Sequence, residues 1–384
     1  MPLPSNTGRP ASMPDHDVAD ALIRAAVAKA GGWIPFARYM ELALYAPHVG
    51  YYAGNRRKFG AEGDFVTASG ISPLFGATLA RQVAQICAVA GPCVLEFGAG
   101  TGALAADILG AAGDAIADYS ILELSPVLRA RQQQTLARRA PRHAGCVRWL
   151  DALPQRFSGC VLANEVLDAM PVHLVCWTGS EVHECGVVVG SGALALESRP
   201  ATGAVACAAR ALARKHSIAA PYTSEINLAA SAWTRSLANL LERGVLLLID
   251  YGFAAREYYH PQRSRGTLMC HYRHRAIDDP LFRPGEADIT AHVDFSAIAA
   301  AGIDAGLDLL GYVNQAGFLV NCGITDLLAS TPASDAKAYL PLANQANRLL
   351  SPAEMGELFK VLALGRGVDV SLAGFSRGDR AHTL

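Results

Sequence analysis

The 384-residue chain is 51% hydrophobic and 17% charged, and 33 basic against 34 acidic residues leave a net charge of −1. A chain of this size buries a large core and exceeds one minimal domain. Its near-neutral balance, with no basic field or polybasic run, argues against nucleic-acid binding and attraction to an acidic membrane.

The opening MPLPSNTGRPASMPDHD is rich in Pro, Ser and Asn and lacks an apolar signal core. Residues 1–17 are therefore expected to be a disordered lead, and the protein cytoplasmic. No apolar run approaches the roughly 18 residues that span a bilayer, so no membrane insertion is expected. Val18 to Ala30 predicts an Ala-rich helix, stopped by Gly31-Gly32. The next stretch reads as helical to about Tyr45 and is broken by Pro47 and Gly50. GDFVTASGISPLFG, Gly63 to Gly76, is too rich in Gly and Ser to be regular before Ser72. Ser72-Pro73 then resembles a cap and first-turn proline opening a helix through Ala90. Residues 18–90 thus form a helical N-terminal region packing on the core.

From Gly91-Pro92 onward the pattern changes. CVLEF is a short apolar strand, GAGTG a turn and ALAADILGAA a helix. YSILEL is a second strand and Pro126 to Arg139 a second helix; CVRWL and GCVLAN are a third and fourth strand. Strands alternating with helices predict an α/β fold with a parallel sheet. LVCWTGSEVHECGVVV and ALALES read as antiparallel hairpins, part of an insertion near 174–222. INLAASAWTRSLANLLERG reads as an amphipathic helix and VLLLIDYGF as a buried fifth strand. Tyr251 to Ile289 reads as a long polar insertion (near 251–290), of the kind that is usually functional or disordered. A helix near Phe295–Ala305, a strand pair around LDLLGYVNQAGFLVNCG and helices to Gly365 complete a main domain spanning 91–384, with frayed last residues. Nine scattered cysteines without a C-x-x-C pair read as reduced core thiols, so neither a disulfide frame nor a metal is expected.

EFGAGTGALAADIL places Gly98, Gly100 and Gly102, with Ala99 between the first two, where a strand meets a helix. Glycine admits backbone conformations and close approach denied to other residues, and a helix start offers free N–H donors and a partial positive charge. The turn therefore reads as a ligand cradle. Gly98 to Ala103 fits the dinucleotide fingerprint, and Glu123, followed by Leu124, lies about where a ribose-binding acid belongs. Nicotinamide enzymes and S-adenosylmethionine methyltransferases both use such an acid. Three features favour the second: Glu96, two residues before Gly98, suits a cofactor carrying an ammonium group; a long segment precedes the turn; and acids crowd the end of strand four. Asp151, after the third strand, reads either as an acceptor for an adenine amino group or as a solvated helix cap.

The blocks IPFARYMELALYAPHVGYY, GDFVTASGISPLFG, EFGAGTGALAADIL, YSILELSPVLRARQ, LANEVLDAMPVH, LLLIDYGF, EYYHPQRSRGTLMCHYRHR and PGEADITAHVDFSAIA occur in one order. Through them the chain resembles the MidA-like family, bacterial relatives of the mitochondrial arginine methyltransferase that assists assembly of respiratory complex I. Ser69-Gly70 stands where the family usually has Pro-Glu. The resemblance implies a class I methyltransferase Rossmann-like sheet and S-adenosyl-L-methionine as donor. It also implies a protein arginine as acceptor, in a complex I quinone-module subunit for the mitochondrial relative.

That acceptor gives VLANEVLDAMPVH its meaning. Arginine stays protonated, and a bidentate carboxylate fixes and polarises its plane. Glu165 is read as the main guanidinium carboxylate and Asp168 as a second, or as the cap of a helix beginning near Leu167. Asn164 is read as contacting the methionine part of the donor. Glu225 reads as a further acid or an ordinary helix-start acid. His271, Arg273, His274 and Arg275 lack metal spacing and read as a cationic loop facing the acids or pairing with Glu286 and Asp288. His292 and Asp294 line the acceptor pocket or merely start a helix. Tyr251–Ile289 and GDFVTASG are expected to fold over the carboxyl edge of the sheet. A nicotinamide-dependent oxidoreductase and a non-catalytic assembly factor that binds S-adenosylmethionine are the competing readings.

Overall fold

The computed structural model describes residues 15–53, 67–179 and 181–384. The expected lead falls largely on residues 1–14, outside this set, and Gly63–Val66 of the GDFVTASG block also lies outside the described residues.

Helix α1 (Asp15–Lys29) leads through the two-residue strand β1 (Ile34–Pro35) into α2 (Phe36–Tyr45), which buries Phe36, Tyr39, Met40, Ala43 and Leu44 at helical spacing. The short α3 (Ala68–Ile71) precedes α4 (Pro73–Ala90). Ser72 Oγ accepts from Leu74 N and Pro73 opens α4, the two roles the Ser-Pro pair implied. Strand and helix then alternate: β2 (Cys93–Phe97), α5 (Ala103–Ala112), β3 (Asp118–Leu122), α6 (Pro126–Arg139), β4 (Val147–Leu150) and β5 (Phe157–Asn164). The expected hairpins are β6 (His173–Thr178), β7 (Glu181–Gly190) and β8 (Ala193–Pro200); α7 (Gly203–His216), β9 (Tyr222–Ile226), α8 (Leu228–Leu240) and β10 (Leu241–Phe253) follow. The remainder is α9 (Ala255–Tyr258), β11 (Met269–Tyr272), β12 (Arg275–Ile277), β13 (Asp288–Thr290), β14 (Val293–Asp294), α10 (Phe295–Asp304), β15 (Asp308–Asn314), α11 (Gln315–Asn321), α12 (Ile324–Ala329), α13 (Ala336–Leu350) and β16 (Phe359–Arg366).

The central sheet runs β15-β16-β10-β5-β2-β3-β4. From β10 to β4 its neighbours are parallel, whereas β16 lies antiparallel between β10 and β15. Its strands are buried on both faces, so they read as continuous apolar runs. Leu162, Val245, Leu247 and Val361 face α4 and α5, while Val161, Leu246, Leu248 and Leu362 face α8 and α10. The chain leaves β2 towards one edge and returns at β5 towards the other. The carboxyl ends of β2 and β5 are thus the topological switch point, where open α/β sheets bind ligands. A second sheet, β1-β7-β6-β9 with β8 on β7, carries α1 and α2 on one face. A small sheet, β12-β11-β13, packs through Cys270 and Ile289 into the same core as α1 and α2.

Five expectations are corrected. Only the first half of the presumed strand pair is a strand, because Asn314 Oδ1 accepts from Gly317 N and starts α11. The "helices to Gly365" include β16, an apolar run whose period does not separate helix from strand. The last residues are not frayed: Phe375 is buried, Arg380 N donates to Tyr312 O (2.7 Å) and Asp379 Oδ1 accepts from Tyr312 N (2.9 Å). Tyr251–Ile289 contains the end of β10, α9 and the small sheet instead of one loop. Glu225 lies in β9, with Asn227 capping α8 after it, so it is not a helix-start acid.

Where β5 and β10 pair, Gly159 and Gly244 stand opposite each other. Gly244 has φ +146°, and a Cβ there would sit 2.0 Å from the Gly159 carbonyl oxygen. No rotamer relieves a clash with backbone. Gly244→Ala is expected to cost about 3 kcal/mol and to lower the thermal midpoint clearly. An unchanged melting curve would contradict this close approach.

Candidate active site

Two turns meet at the switch point. The first follows β2. Gly98, Gly100 and Gly102 all take left-handed backbone angles, with φ of 65°, 51° and 78°, and no side chain caps the start of α5. A Cβ on Gly98 would meet Val166 Cγ2 at 2.6 Å, so the glycine turn is pressed against the turn after β5. The fully buried Gln132 braces it: Nε2 donates to Gly100 O (3.1 Å) and Glu123 Oε2 (3.2 Å), and Oε1 accepts from Trp149 Nε1 (2.7 Å). An amide inside a polar helix carries no periodic signal, so nothing in the local pattern marks Gln132.

Glu123 also accepts from Ser125 N at 2.8 Å. Leu124 beside it is 71% exposed, a large apolar side chain without a protein cover. Arg129 donates to Glu123 O (2.6 Å) and Leu150 O (2.9 Å), and pairs with the exposed Asp151 (2.5 Å). No helix follows Asp151, which removes the cap reading. Glu96 is buried on β2 and accepts from the Tyr119 hydroxyl (2.9 Å); burial pushes its carboxyl up to about 7.

The second turn carries the acids, and its anchor is a residue the sequence reading passed over. Asp250, fully buried near the end of β10, accepts through Oδ2 from Val166 N (3.1 Å), Leu167 N (2.9 Å) and Asp168 N (3.2 Å), and through Oδ1 from Tyr251 N (2.9 Å). Four amide donors favour its ionised form; burial and the neighbouring Asp168 and Glu165 push the other way. Glu165 itself has φ +54°. The segment is therefore a reverse turn held by a carboxylate, not the helix start expected at Leu167.

Glu165 Oε1 accepts from Ala68 N and Asn164 Nδ2, both at 3.1 Å. Asp168 Oδ2 accepts from the Tyr251 hydroxyl at 2.6 Å. Asn164 Oδ1, Glu165 Oε2 and Asp168 Oδ1 are buried without a hydrogen-bond partner among the described residues. Burial, then the Asp168 charge, raises Glu165 to about 8; burial raises Asp168 to about 6 despite the Tyr251 hydroxyl. Among the described residues no Lys or Arg pairs with either acid. A cavity of about 710 Å³ opens beside this turn, with Tyr45, Val166, Met170 and Ala229 in its wall.

The other singled-out residues divide. Asp294 Oδ1 accepts from Ala297 N (3.1 Å) and caps α10. His292 instead lies edge-on to Tyr251 and Phe253, with Nδ1 unpartnered among the described residues, and burial lowers it to about 4. Glu225 accepts from Thr267 N, Thr267 Oγ1, Leu268 N and the Tyr258 hydroxyl at 3.0–3.1 Å, so it fastens the segment after α9 and stands outside the acid turn. Glu286 pairs with Arg283 and His16, and Asp288 accepts from the Tyr52 hydroxyl. His271 and Arg275 lie in the β11–β12 hairpin. Among the described residues no group of side chains is arranged to hold a metal, and no helix is long and apolar enough to cross a membrane.

Residues 75–313 match the family model described as "Putative S-adenosyl-L-methionine-dependent methyltransferase". The chain is 31% identical over 373 residues to the protein arginine methyltransferase NDUFAF7 homolog, mitochondrial, of Drosophila melanogaster, covering 88% of this chain and 82% of that one. It is 31% identical over 372 residues to protein arginine methyltransferase NDUFAF7, mitochondrial, of Mus musculus, covering 88% and 82%. A crystal structure from Burkholderia thailandensis, bound to S-adenosyl-homocysteine, is 52% identical and superposes with a TM-score of 0.93 over 100% of both chains.

The raised Glu165 fixes the sign of a pH effect. Its folded value, about 8, exceeds the ordinary 4.5, so between these limits the folded state binds the proton that the unfolded state has lost. The associated stability is complete below about 4.5 and gone above about 8. Without ligand, the melting temperature of the wild type should therefore fall relative to Glu165→Gln as pH rises through this window. Parallel curves for the two proteins would contradict the assignment.

Proposed function

We propose that this chain, which belongs to the S-adenosyl-L-methionine-dependent methyltransferase family, methylates an arginine side chain of a partner protein. S-adenosylmethionine is the methyl donor of the family, and the nicotinamide reading is set aside. The observation that carries the arginine reading is the set of buried oxygens on Asn164, Glu165 and Asp168 that have no partner among the described residues, around one turn with no paired Lys or Arg among those residues. A planar guanidinium supplies five N–H donors and one charge, which is what such a set lacks. The names of the fly and mouse relatives agree with this acceptor.

The residues present fit the donor. Three left-handed glycines and the uncapped start of α5 leave backbone open to a ligand. The bare Leu124 offers an apolar face beside Glu123. The backbone of Gly98, Ala99, Gly100 and Gly102 would hold the donor, with Glu123 at its ribose, Leu124 and Asp151 at its adenine, and Asn164 at its methionine part. Glu96 would act from below, two residues before Gly98. When bound, the donor supplies an electrophilic methyl group. Glu165 and Asp168 hold the acceptor plane, and Glu165, whose proton affinity is already raised, is suited to take the proton that the guanidinium gives up. The Tyr251 hydroxyl keeps Asp168 in place. The resemblance drawn from the sequence makes a respiratory complex I quinone-module subunit the first acceptor to test.

Peptide analysis of arginine methylation in cells with and without the gene identifies the acceptor. With it in hand, Glu165→Gln should bind S-adenosylmethionine almost unchanged by calorimetry, since Glu123 and the glycine turn are untouched. Methyl transfer should fall by about 100-fold, because losing a charge-assisted partner at a buried guanidinium costs about 3 kcal/mol. Asp168→Asn should lose less. Full transfer by the glutamine variant removes Glu165 from the reaction, and arginine methylation identical with and without the gene overturns the arginine reading.

A further inference from the structure

We propose that Cys176 and Cys185 form a redox-active thiol pair that closes to an intramolecular disulfide on reaction with a hydroperoxide. The pair is independent of methyl transfer and lies in the second sheet. Cys176 on β6 stands opposite His183, and Cys185 on β7 stands opposite Leu174. The two cysteines are thus diagonal neighbours on one face of a hairpin.

Both are free thiols, yet their sulfurs are 2.9 Å apart. A disulfide bond measures about 2.04 Å, so the two sulfurs lie about 0.9 Å beyond bonding distance. No other two sulfurs among the described residues stand within hydrogen-bond distance. Thr223 Oγ1 donates to Cys176 Sγ at 3.4 Å, and Ser198 Oγ lies 3.2 Å from Cys185 Sγ. Among the described residues no third His, Cys, Asp or Glu joins the two thiols in a group that could hold a metal.

The two thiols differ in the way the reaction needs. Cys176 is half-buried, whereas Cys185 is buried. The hydrogen bond from Cys185 pulls the Cys176 thiol below its ordinary range, helped by Thr223 and Ser198 and by the His183 charge, with burial opposing. Cys185 moves the other way. Cys176 is therefore the thiolate that reacts first. Its sulfur attacks one peroxide oxygen, the O–O bond breaks, and the departing alkoxide takes a proton, leaving a sulfenic acid. The Cys185 sulfur then attacks the Cys176 sulfur. The S–S bond forms, the S–O bond breaks, and hydroxide leaves as water with the Cys185 proton. Two thiols are oxidised and one hydroperoxide is reduced to an alcohol and water.

The test uses the full chain, reduced, desalted and then titrated with hydrogen peroxide. Mapping of unreduced peptides should find Cys176 linked to Cys185 as the main product. Two of the nine thiols should be lost per chain and recovered with dithiothreitol. In Cys185→Ser the reaction should stop at a Cys176 sulfenic acid that dimedone traps. In Cys176→Ser peroxide consumption should drop at least tenfold. Retention of all nine thiols, or oxidation confined to the exposed Cys207 with no Cys176–Cys185 peptide, would overturn the proposal. The wild-type map decides this even if a serine variant fails to fold.

Discussion

One buried carboxylate organises this molecule's functional end. Asp250 gathers the amides of Val166, Leu167 and Asp168 on a single oxygen. Without it the chain leaving β5 would bury three unpaired donors, each costing about 1–3 kcal/mol. The interaction depends on sheet register. Ile249 pairs with Asn164, so Asp250 arrives one residue beyond the point where β5 ends. A slip of one residue would turn its side chain to the opposite face. The anchor is thus a consequence of parallel pairing between two strands that are far apart in sequence, and the turn it holds cannot form from local preference.

The anchored turn then serves as the joint between otherwise separate parts. Val166 fills the space that glycine leaves open at position 98. Ala68, at the start of α3, donates to Glu165, and Ala291, after β13, donates to the Asp168 carbonyl. The Tyr45 hydroxyl of α2 donates to Ala169 O. The N-terminal helices, the glycine turn and the segment after β10 therefore all close on the same residues. Ala68 N holds the Glu165 carboxylate directly and the other contacts hold the turn's backbone, so the acids are positioned from several sides while Glu165 Oε2 and Asp168 Oδ1 keep no partner among the described residues.

Which parts of this were legible in the sequence follows from the range of the interaction that makes them. From 91 to 164 the strands are apolar runs bounded by glycine, proline and caps, and local patterning is enough to place them. β16 is equally apolar, but FKVLALGR has no period that separates strand from helix, and its identity comes from lying between β10 and β15. Glu165, Asp168 and Asn164 stood out because acids at the mouth of a buried strand are costly without a partner. Asp250 has the same chemistry and was passed over, since a single acid ending an apolar strand shows nothing until the turn it binds is in place. Gln132 and Tyr251 were invisible for the same reason. Glu225 was misread because its partners, Thr267 and Leu268, lie about forty residues on.

The electrostatics complete the physical picture. Burial raises all three acids, Asp250 included although four amides oppose the shift, and Glu165 and Asp168 each hold the proton more tightly than they would in water. Moving those acids to the surface would relieve the strain, yet the anchored turn prevents it. An arriving cation changes the balance, because it supplies both the opposite charge and the missing donors at once. Near neutral pH the free protein therefore favours a protonated Glu165 beside an ionised Asp168, and a bound cation would favour ionisation of both. On the proposed reading, a neutral side chain at this turn would bring no charge and too few donors for the three unpartnered oxygens, and the desolvation left uncompensated would disfavour it.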